Sequence, residues 1–361
     1  MTSLRETADR RVFASVTAPE DLVRLYVPSH ELAGLLGEDR PEAKIVRALT
    51  EQRAPQRLHI YGEAGAGKTS LILRALADIA RRENLARPVH PLFVNTGDAP
   101  SELDDPHHFM QMILGLIRVN GGAFANVDPR RLLDATAEQT TRTPATVTHE
   151  PAITTPVFSY QASLTQAFAS QTFGRDPARV RNDFEDVLTA VAREHRAVIV
   201  IDDTDHFAAS GAGGKLDEQA IANLYHHGVR TLAEFDEIDV LVAIQPQFRQ
   251  VELVAEVETR FNFRHIDVAT LPSGHDDLGL SHVLARRLAR AHVRASVDDL
   301  IEPSALAQLQ GAYFIVDHDL RRVLQFADEA SRLAADDGAT RIAPRHVQRA
   351  LEGHGQTTRG W

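Results

Sequence analysis

The chain has 361 residues, of which 43% are hydrophobic, and it carries a formal net charge of −11. This length allows two or three domains with a sizeable core, and the negative charge argues against non-specific coating of nucleic acid, although a local basic patch stays open. The sequence has no cysteine, which excludes disulfides and thiolate metal sites and favours a reducing compartment. It has no apolar N-terminal signal and no uninterrupted apolar run of about 18 residues, so we expect no membrane span and a cytoplasmic location.

The first half of the chain alternates between predicted helices and strands. Residues 1–56 are predicted to be helical and solvated, with an amphipathic helix just before the first strand. The elements that follow are a strand at 57–62, a helix at 69–82, a strand at 89–98 and a helix at 106–119. Residues 120–180 are rich in Thr, Ala, Gln and Pro, and they predict an insertion that is either a functional hairpin or a flexible segment without a specific role.

The second half begins with strands and helices and ends with helices alone. Its predicted elements are a helix at 180–195, a buried strand within 196–207, a helix at 218–235, and strands at 238–248 and 264–272. Every later pattern is helical. The order predicts an α/β fold followed by a small all-α domain, divided as an N-terminal helical segment (1–56), an α/β domain (57–272) and a helical domain (273–361).

A glycine-rich motif lies between the first predicted strand and its helix. Residues 62–69, GEAGAGKT, fit the pattern G-x-x-x-x-G-K-[ST], in which glycines let the backbone wrap a phosphate. The lysine is notable because, of 39 Lys and Arg residues, only Lys44, Lys68 and Lys215 are lysines, and a compact ammonium fits between phosphate oxygens. Lys68 is expected to contact the β- and γ-phosphates of ATP, and Thr69 to hold Mg²⁺. The predicted cofactor-binding residues of the loop are Gly62, Gly65, Gly67, Lys68, Thr69 and Ser70.

A buried strand that ends in two acids is the expected companion of this loop. The stretch AVIVIDD (197–203) is apolar on both faces, and ligands of open α/β sheets bind beyond the carboxyl ends of strands. Asp202 is therefore expected to orient the Mg²⁺ through its water shell. Asp203 is expected to polarise the water that attacks the γ-phosphate.

Together these motifs resemble those of the AAA+ ATPases, over roughly residues 40–351. The resemblance is closest to the initiator-like group of origin-recognition proteins and helicase loaders. It implies an AAA+ P-loop sheet followed by a helical lid, with Asn95 and Gln245 as polar sensors at strand ends. It also implies that Arg321 of the lid contacts the nucleotide. Arg260, with Arg264 as the second choice, would be the arginine finger that completes a neighbour's site in a homo-oligomer.

The sequence departs from the family pattern at three positions. The acid pair is Asp-Asp instead of Asp-Glu, the sensor is Gln245, and His318 replaces a glycine. The shorter Asp203 predicts slow hydrolysis, and Asp-Asp endings also occur in the STAND class of signalling ATPases. No winged-helix module follows the lid in this sequence, which weakens a prediction of sequence-specific DNA binding.

Three functions follow, and we retain the first as the leading hypothesis. It is an ATPase that uses ATP and Mg²⁺ to control its assembly and to act on a protein or nucleic-acid partner. The alternative is a nucleotide-dependent switch or scaffold that hydrolyses ATP very slowly. A small-molecule kinase needs an acceptor site with its own base, and lid arginines close to the loop, and the long lid domain fits this requirement poorly.

Two weaker features carry little functional weight. Arg286, Arg290 and Arg294 lie four residues apart on one predicted helix, which favours a solvated face over a stripe that binds phosphates or an acidic partner. The histidine pairs at 107–108 and 226–227 are adjacent instead of one turn apart, so they do not predict a zinc site.

Overall fold

The structure is a computed structural model that places most of the chain outside the predicted insertion. It describes residues 2–14, 22–23, 26–28, 39–52, 54–82, 85–96, 105–119, 177–207, 216–268, 271, 279–316 and 318–354. The insertion predicted at 120–180 therefore lies almost entirely outside the described residues. Within the described ranges, no helix is long and apolar enough to cross a membrane.

The strands of the central sheet are, in chain order, β1 (Arg57–Tyr61), β2 (Val89–Asn95), β3 (Arg196–Asp202), β4 (Ile238–Ile244) and β5 (Arg264–Asp267). The described α-helices are α1 (Thr2–Asp9), α2 (Pro41–Glu51), α3 (Lys68–Ala80), α4 (Pro106–Val119), α5 (Pro177–Glu194), α6 (Glu218–Asn223), α7 (Arg230–Ala233), α8 (Glu252–Arg260), α9 (Leu280–Arg290), α10 (Val297–Leu300), α11 (Pro303–Ile315), α12 (Leu320–Asp336) and α13 (Pro344–Gly353).

The sheet has the strand order β2-β3-β4-β1-β5. β3 pairs in parallel with β2 and β4, and β4 pairs in parallel with β1. Every residue of β3 and β4 is buried, as expected for continuous apolar strands covered on both faces. The predicted α/β fold with a parallel sheet is therefore confirmed.

The chain forms two compact units. Unit 2 comprises residues 45–61 and 75–266 and contains most of the sheet and helices α4–α8. A buried ion pair locks the start of β3 to β4: Arg196 Nε lies 2.5 Å from Asp239 Oδ2, and Nη2 lies 2.8 Å from Oδ1. The predicted helix at 218–235 is interrupted, because residues Leu224–Val229 form a π-helical segment between α6 and α7. The strand predicted at 238–248 ends at Ile244, because Pro246 begins a 3₁₀ turn.

Unit 1 comprises residues 1–44, 62–74 and 267–361 and has its own apolar core. Its described C-terminal part consists of helices α9–α13, which confirms the predicted all-α domain. The prediction that the N-terminal residues are solvated is wrong for α1, whose Leu4 and the following Phe13 are buried in the core of this unit. A patterned apolar face on a short helix needs a partner, and α1 finds it on α12. The predicted domain boundaries at 56 and 272 stay a prediction.

The arginine-rich helix α9 is anchored through one of its arginines. Arg287 is buried, and its Nη1 donates to the carbonyl oxygens of Ala14 at 2.6 Å and Val12 at 3.5 Å. The prediction of one helix for Arg286, Arg290 and Arg294 is wrong, because α9 ends at Arg290 and Arg294 follows it. Arg286 and Arg290 are half-buried, and Arg294 is exposed. The prediction of a solvated arginine face therefore holds only in part, because Arg287 of α9 bonds to the N-terminal segment.

Candidate nucleotide-binding site

The glycine-rich loop connects the end of β1 to the start of α3. Gly65 and Gly67 have φ values of +69° and +97°, which L side chains rarely adopt. The amide of Ala66 donates to Glu63 O at 3.1 Å and closes a tight turn within the loop. The chain then enters α3 at Lys68, so the N-terminus of a 13-residue helix follows the loop directly.

The ammonium group of Lys68 folds back over this loop. Lys68 is buried, and its Nζ donates to Gly62 O and to Glu63 O, each at 3.0 Å. A loop of glycines, a helix N-terminus and a held ammonium together form a cradle for an anion with several oxygens. Thr69 and Ser70 are half-buried in the first turn of the helix, where predicted metal and phosphate ligands belong.

A carboxylate of the helical domain lies against the same loop. A Cβ added at Gly65 would lie only 1.8 Å from Asp319 Oδ1 and 2.5 Å from its Cγ. Asp319 is the N-cap of α12, where its Oδ1 accepts from Arg322 N at 3.0 Å. Burial raises the pKa of Asp319, although the backbone amide bond and the charges of Arg321 and Arg322 act in the opposite direction. The sequence motif indicated Arg321 but gave no sign that Asp319 approaches the loop.

The predicted acidic residues lie at the carboxyl edge of the sheet in unit 2. Asn95 and Asp202 are register partners at the ends of β2 and β3. Asp202 is buried, whereas Asp203 follows the strand, is exposed and has a φ of +57°. The hydroxyl of Thr96 donates to the carbonyl oxygens of Asp202 at 3.1 Å and Asp203 at 3.0 Å, which holds the turn that presents both acids.

Gln245, the predicted sensor, is part of a polar group that the sequence analysis missed. Gln245 is buried at the end of β4, and its Nε2 donates to Asp205 Oδ1 at 3.2 Å. Its Oε1 accepts from Gln247 Nε2 at 2.5 Å. Asp205 is the third acid of the stretch IDDTD, and no pattern in the sequence pairs it with Gln245. The sheet edge therefore brings Asn95, Asp202 and Gln245 to the ends of three adjacent strands.

The predicted arginine fingers differ in what they contact. Arg260 is exposed at the last residue of α8, with its Cζ 5.3 Å from the centre of the Phe261 ring. Arg264 is the first residue of β5, and its Nη2 donates to Gln52 Oε1 at 3.0 Å. Arg321 is exposed in the first turn of α12. Arg260 is therefore exposed at a helix terminus, whereas Arg264 is bonded within its own unit.

Comparison with known proteins accounts for this arrangement. The AAA ATPase domain family matches residues 40–228, which is more than half of the chain. The chain belongs to the AAA ATPase family. The predicted AAA+ resemblance is confirmed, and the residues described above belong to a P-loop NTPase fold. No curated protein sequence matches the chain.

Solved structures show where the fold of this AAA ATPase recurs. The ORC1 protein of Aeropyrum pernix in complex with DNA is 15% identical with a TM-score of 0.50, over 92% of this chain and 69% of that one. The Aeropyrum pernix ORC2 protein, in ADPNP-ADP complexes, is 16% identical with a TM-score of 0.51, over 95% and 72%. Drosophila ORC bound to DNA is 15% identical with a TM-score of 0.50, over 97% of this chain but only 65% of that chain. At these identities the likeness shows a shared fold, in agreement with the predicted initiator-like group.

Proposed function

We propose that this AAA ATPase binds ATP with Mg²⁺ on residues Gly62–Ser70 and hydrolyses it to control the assembly of a cytoplasmic oligomer. The observation that carries the proposal is the loop itself. Two glycines in left-handed conformations and the folded-back ammonium of Lys68 form a phosphate cradle at the start of α3. The ORC2 protein of Aeropyrum pernix, which shares the fold, was solved with ADPNP and ADP, and this supports a nucleotide as the ligand.

The remaining predicted residues have roles in the same proposal. Thr69 and Asp202 would hold Mg²⁺, directly and through its water shell, and Asp203 would polarise the attacking water. Asn95 and Gln245 would report the presence of the γ-phosphate from the strand ends. Lys68 and Mg²⁺ would offset the negative charge that develops in the transition state.

The first experiment measures phosphate release and ATP binding by wild type, Lys68→Ala and Lys44→Ala. Lys44 is an exposed lysine outside the loop and serves as a matched control. We expect the turnover of Lys68→Ala to fall at least about 100-fold, because removing one preorganised group that stabilises a transition state has an effect of this size. Lys44→Ala should keep the wild-type turnover. Equal activity in all three proteins, or none in any of them together with no bound nucleotide, would remove the basis of the proposal.

The second part of the proposal concerns Arg260 as a finger in a neighbouring site. Arginine fingers contribute roughly 10³–10⁵ in turnover, so Arg260→Ala is expected to lose hydrolysis while still binding ATP. Arg264→Ala is the matched control, since Arg264 already bonds to Gln52. Mass photometry with and without ATP reports the oligomer directly. An unchanged mass in ATP would contradict control of assembly.

The partner is proposed to be a protein or a nucleic acid. Two proteins that share the fold, ORC1 of Aeropyrum pernix and Drosophila ORC, were solved with DNA, but this chain spans only 69% and 65% of those chains. Mass photometry with single-stranded and double-stranded DNA, at two salt concentrations, therefore tests DNA as the partner. A protein partner is favoured if neither form of DNA binds in ATP.

A nucleotide-dependent switch with very slow turnover is the second candidate, favoured by one observation. Asp203 is an aspartate where the family uses glutamate, and its backbone lies in the left-handed region at φ +57°. A shorter carboxylate on a strained turn is poorly suited to reach a water molecule. Asp203→Asn separates the two functions. An ATPase loses turnover with this change, whereas a switch keeps its nucleotide-dependent assembly and has almost no turnover to lose.

A further inference from the structure

Two histidines and a glutamate that the nucleotide proposal does not use meet in unit 2. His59 is on β1, Glu258 on α8 and His265 on β5. Glu258 Oε1 lies 2.6 Å from His59 Nδ1 and 3.3 Å from His265 Nε2. One potential ligand atom from each of the three residues lies within 4.8 Å of the others. We call these three residues the His-Glu-His group.

The separations suit a divalent transition-metal ion. Bonds of about 2.0–2.1 Å in a tetrahedral site place neighbouring ligand atoms about 3.4 Å apart. The separation between Glu258 and His265 already has this value, and the separation between His59 and Glu258 needs to widen by roughly 0.8 Å. Two imidazoles and one carboxylate are a ligand set that binds Zn²⁺, and also Fe²⁺, with further positions open.

The surroundings of His59 supply the second requirement of a metal ligand. Metal-binding histidines almost always bond through their other ring nitrogen to a neighbouring group that orients the ring. His59 Nε2 lies 3.0 Å from the hydroxyl of the fully buried Tyr225, and the His59 ring stacks on Phe263 at 4.2 Å. A tyrosine hydroxyl accepts or donates, so Tyr225 fits the tautomer with Nδ1 free for a metal.

The group has an opening to solvent and a candidate fourth ligand. The side chain of His265 is 38% exposed, whereas that of His59 is fully buried, so an ion enters from the His265 side. The hydroxyl of Tyr61 bonds to Glu258 Oε1 and therefore already points at the group.

One cation acts against an ion at this position. Arg249 is exposed, its Cζ lies 3.7 Å from the centre of the Tyr61 ring, and its Nη2 lies 3.4 Å from His265 Nδ1. A guanidinium only donates hydrogen bonds, so in this arrangement His265 Nδ1 accepts and Nε2 carries the proton. Binding of a metal at Nε2 requires that Arg249 move away towards solvent.

We propose that His59, Glu258 and His265 form a binding site for one divalent transition-metal ion, with Arg249 as a cation that weakens it. The site differs from the proposed Mg²⁺ site in its ligands, because two of them are histidine nitrogens. Its residues lie on β1, β5 and α8. Bound metal would cross-link the strand that leads into the glycine-rich loop to the helix that ends at Arg260.

The test uses the full chain, stripped with EDTA and studied without nucleotide or Mg²⁺. Calorimetric titration with Zn²⁺ is expected to give one equivalent of binding, and Co²⁺ should produce visible absorption bands of a four- or five-coordinate site. His265→Ala removes an accessible ligand and should weaken Zn²⁺ binding by more than about 100-fold. Loss of a residue that only hydrogen-bonds to a ligand typically weakens binding by about 10–100-fold. His226→Ala, at an exposed histidine of the same unit, should leave the binding unchanged.

Arg249→Gln provides a test with the opposite sign. Removing the nearby cation should tighten Zn²⁺ binding several-fold, whereas a group that is only a hydrogen-bond cluster gains no affinity from this change. The proposal is overturned if wild type and Arg249→Gln both bind no Zn²⁺ at micromolar concentrations, or if His265→Ala binds as tightly as wild type. Circular dichroism of His265→Ala tests whether the variant is folded. Its binding of ATP, measured separately, distinguishes a loss of Zn²⁺ binding from a failure of the nucleotide site.

Discussion

The approach of Asp319 to Gly65 allows a quantitative test by a double-mutant cycle. In Gly65→Ala, the new Cβ would lie 1.8 Å from Asp319 Oδ1, far inside ordinary contact, so the carboxylate must rotate away. Asp319 then loses its N-cap bond to Arg322 N, at a cost of about 1 kcal/mol. Alanine at φ +69° adds about 1–2 kcal/mol of backbone strain. The expected loss in the free energy of unfolding is therefore about 2–3 kcal/mol.

Removing the Asp319 side chain isolates the contact. Asp319→Gly alone should cost only a few tenths of a kcal/mol, because glycine is tolerated at an N-cap. In that background the steric term and the cap term vanish, so Gly65→Ala should cost only its strain, about 1–2 kcal/mol. The predicted coupling energy between the two positions is about 1 kcal/mol, which is within the range for residues in contact.

The cycle is measured by urea denaturation followed by far-ultraviolet circular dichroism, with Gly67→Ala as the matched control. Gly67 has a φ of +97°, but a Cβ added there meets nothing within 4 Å. It should lose stability through strain alone and show no coupling to Asp319→Gly. Additive effects of Gly65→Ala and Asp319→Gly, within roughly 0.3–0.5 kcal/mol, would refute the contact.

Three further predictions concern stability, pH and assembly. Asp239→Ala leaves the buried guanidinium of Arg196 without its carboxylate and should cost about 3–5 kcal/mol in urea denaturation, and a loss below about 1 kcal/mol would contradict this. Burial, with a smaller effect of a neighbouring histidine, lowers the pKa of His90 to about 4. The unfolded chain therefore takes up the proton first, stability falls as the pH drops from about 6.5 towards 4, and His90→Gln should flatten this slope. Mixing inactive Arg260→Ala with inactive Lys68→Ala should restore partial ATP hydrolysis, because some mixed interfaces combine an intact loop with an intact finger, whereas no recovery would argue against a finger in trans.

Local sequence patterns predicted the elements of the sheet but not the contacts between distant segments. The run AVIVIDD identified β3 because a strand buried on both faces is apolar throughout. The motif at 62–69 predicted the loop correctly, because the backbone of the loop adopts positive φ values at Gly65 and Gly67. The packing of α1 on α12 was missed, because a helical period shows that a face is buried without showing which partner, some 300 residues away, buries it.

The polar contacts of the candidate site were harder to predict than its motif residues. Asp205 bonds to Gln245 from another element, and a single sequence carries no signal for such a pair. The sequence pattern of residues 218–235 also gave no sign of the π-helical segment at Leu224–Val229, so it predicted an uninterrupted helix. His59 occurs in a strand at a buried position and is as easily explained as a core residue until Glu258 and His265 are seen beside it.

The position of Asp319 also predicts how ATP binding responds to charge. Burial already raises the pKa of Asp319, and phosphates bound on the same loop would disfavour its carboxylate further. Asp319→Asn keeps an N-cap side chain and removes the charge, so ATP should bind about fivefold more tightly, from roughly 1 kcal/mol for unit charges 4 Å apart in water. Asp336→Asn, an exposed position on the same helix, is the matched control.

The pH dependence of this effect distinguishes charge from shape. At lower pH Asp319 of the wild type takes up a proton, so its ATP affinity should approach that of Asp319→Asn, and the ratio of the two affinities should fall towards one. Protonation of ATP itself affects both proteins equally and cancels in the ratio. A ratio that stays constant from neutral pH down to about pH 4.5, measured by calorimetric titration, would mean that the carboxylate does not act on the nucleotide through its charge. A falling ratio would mean that an anion on the loop and the first turn of α12 respond to each other, which is the coupling that a lid closed by ATP requires.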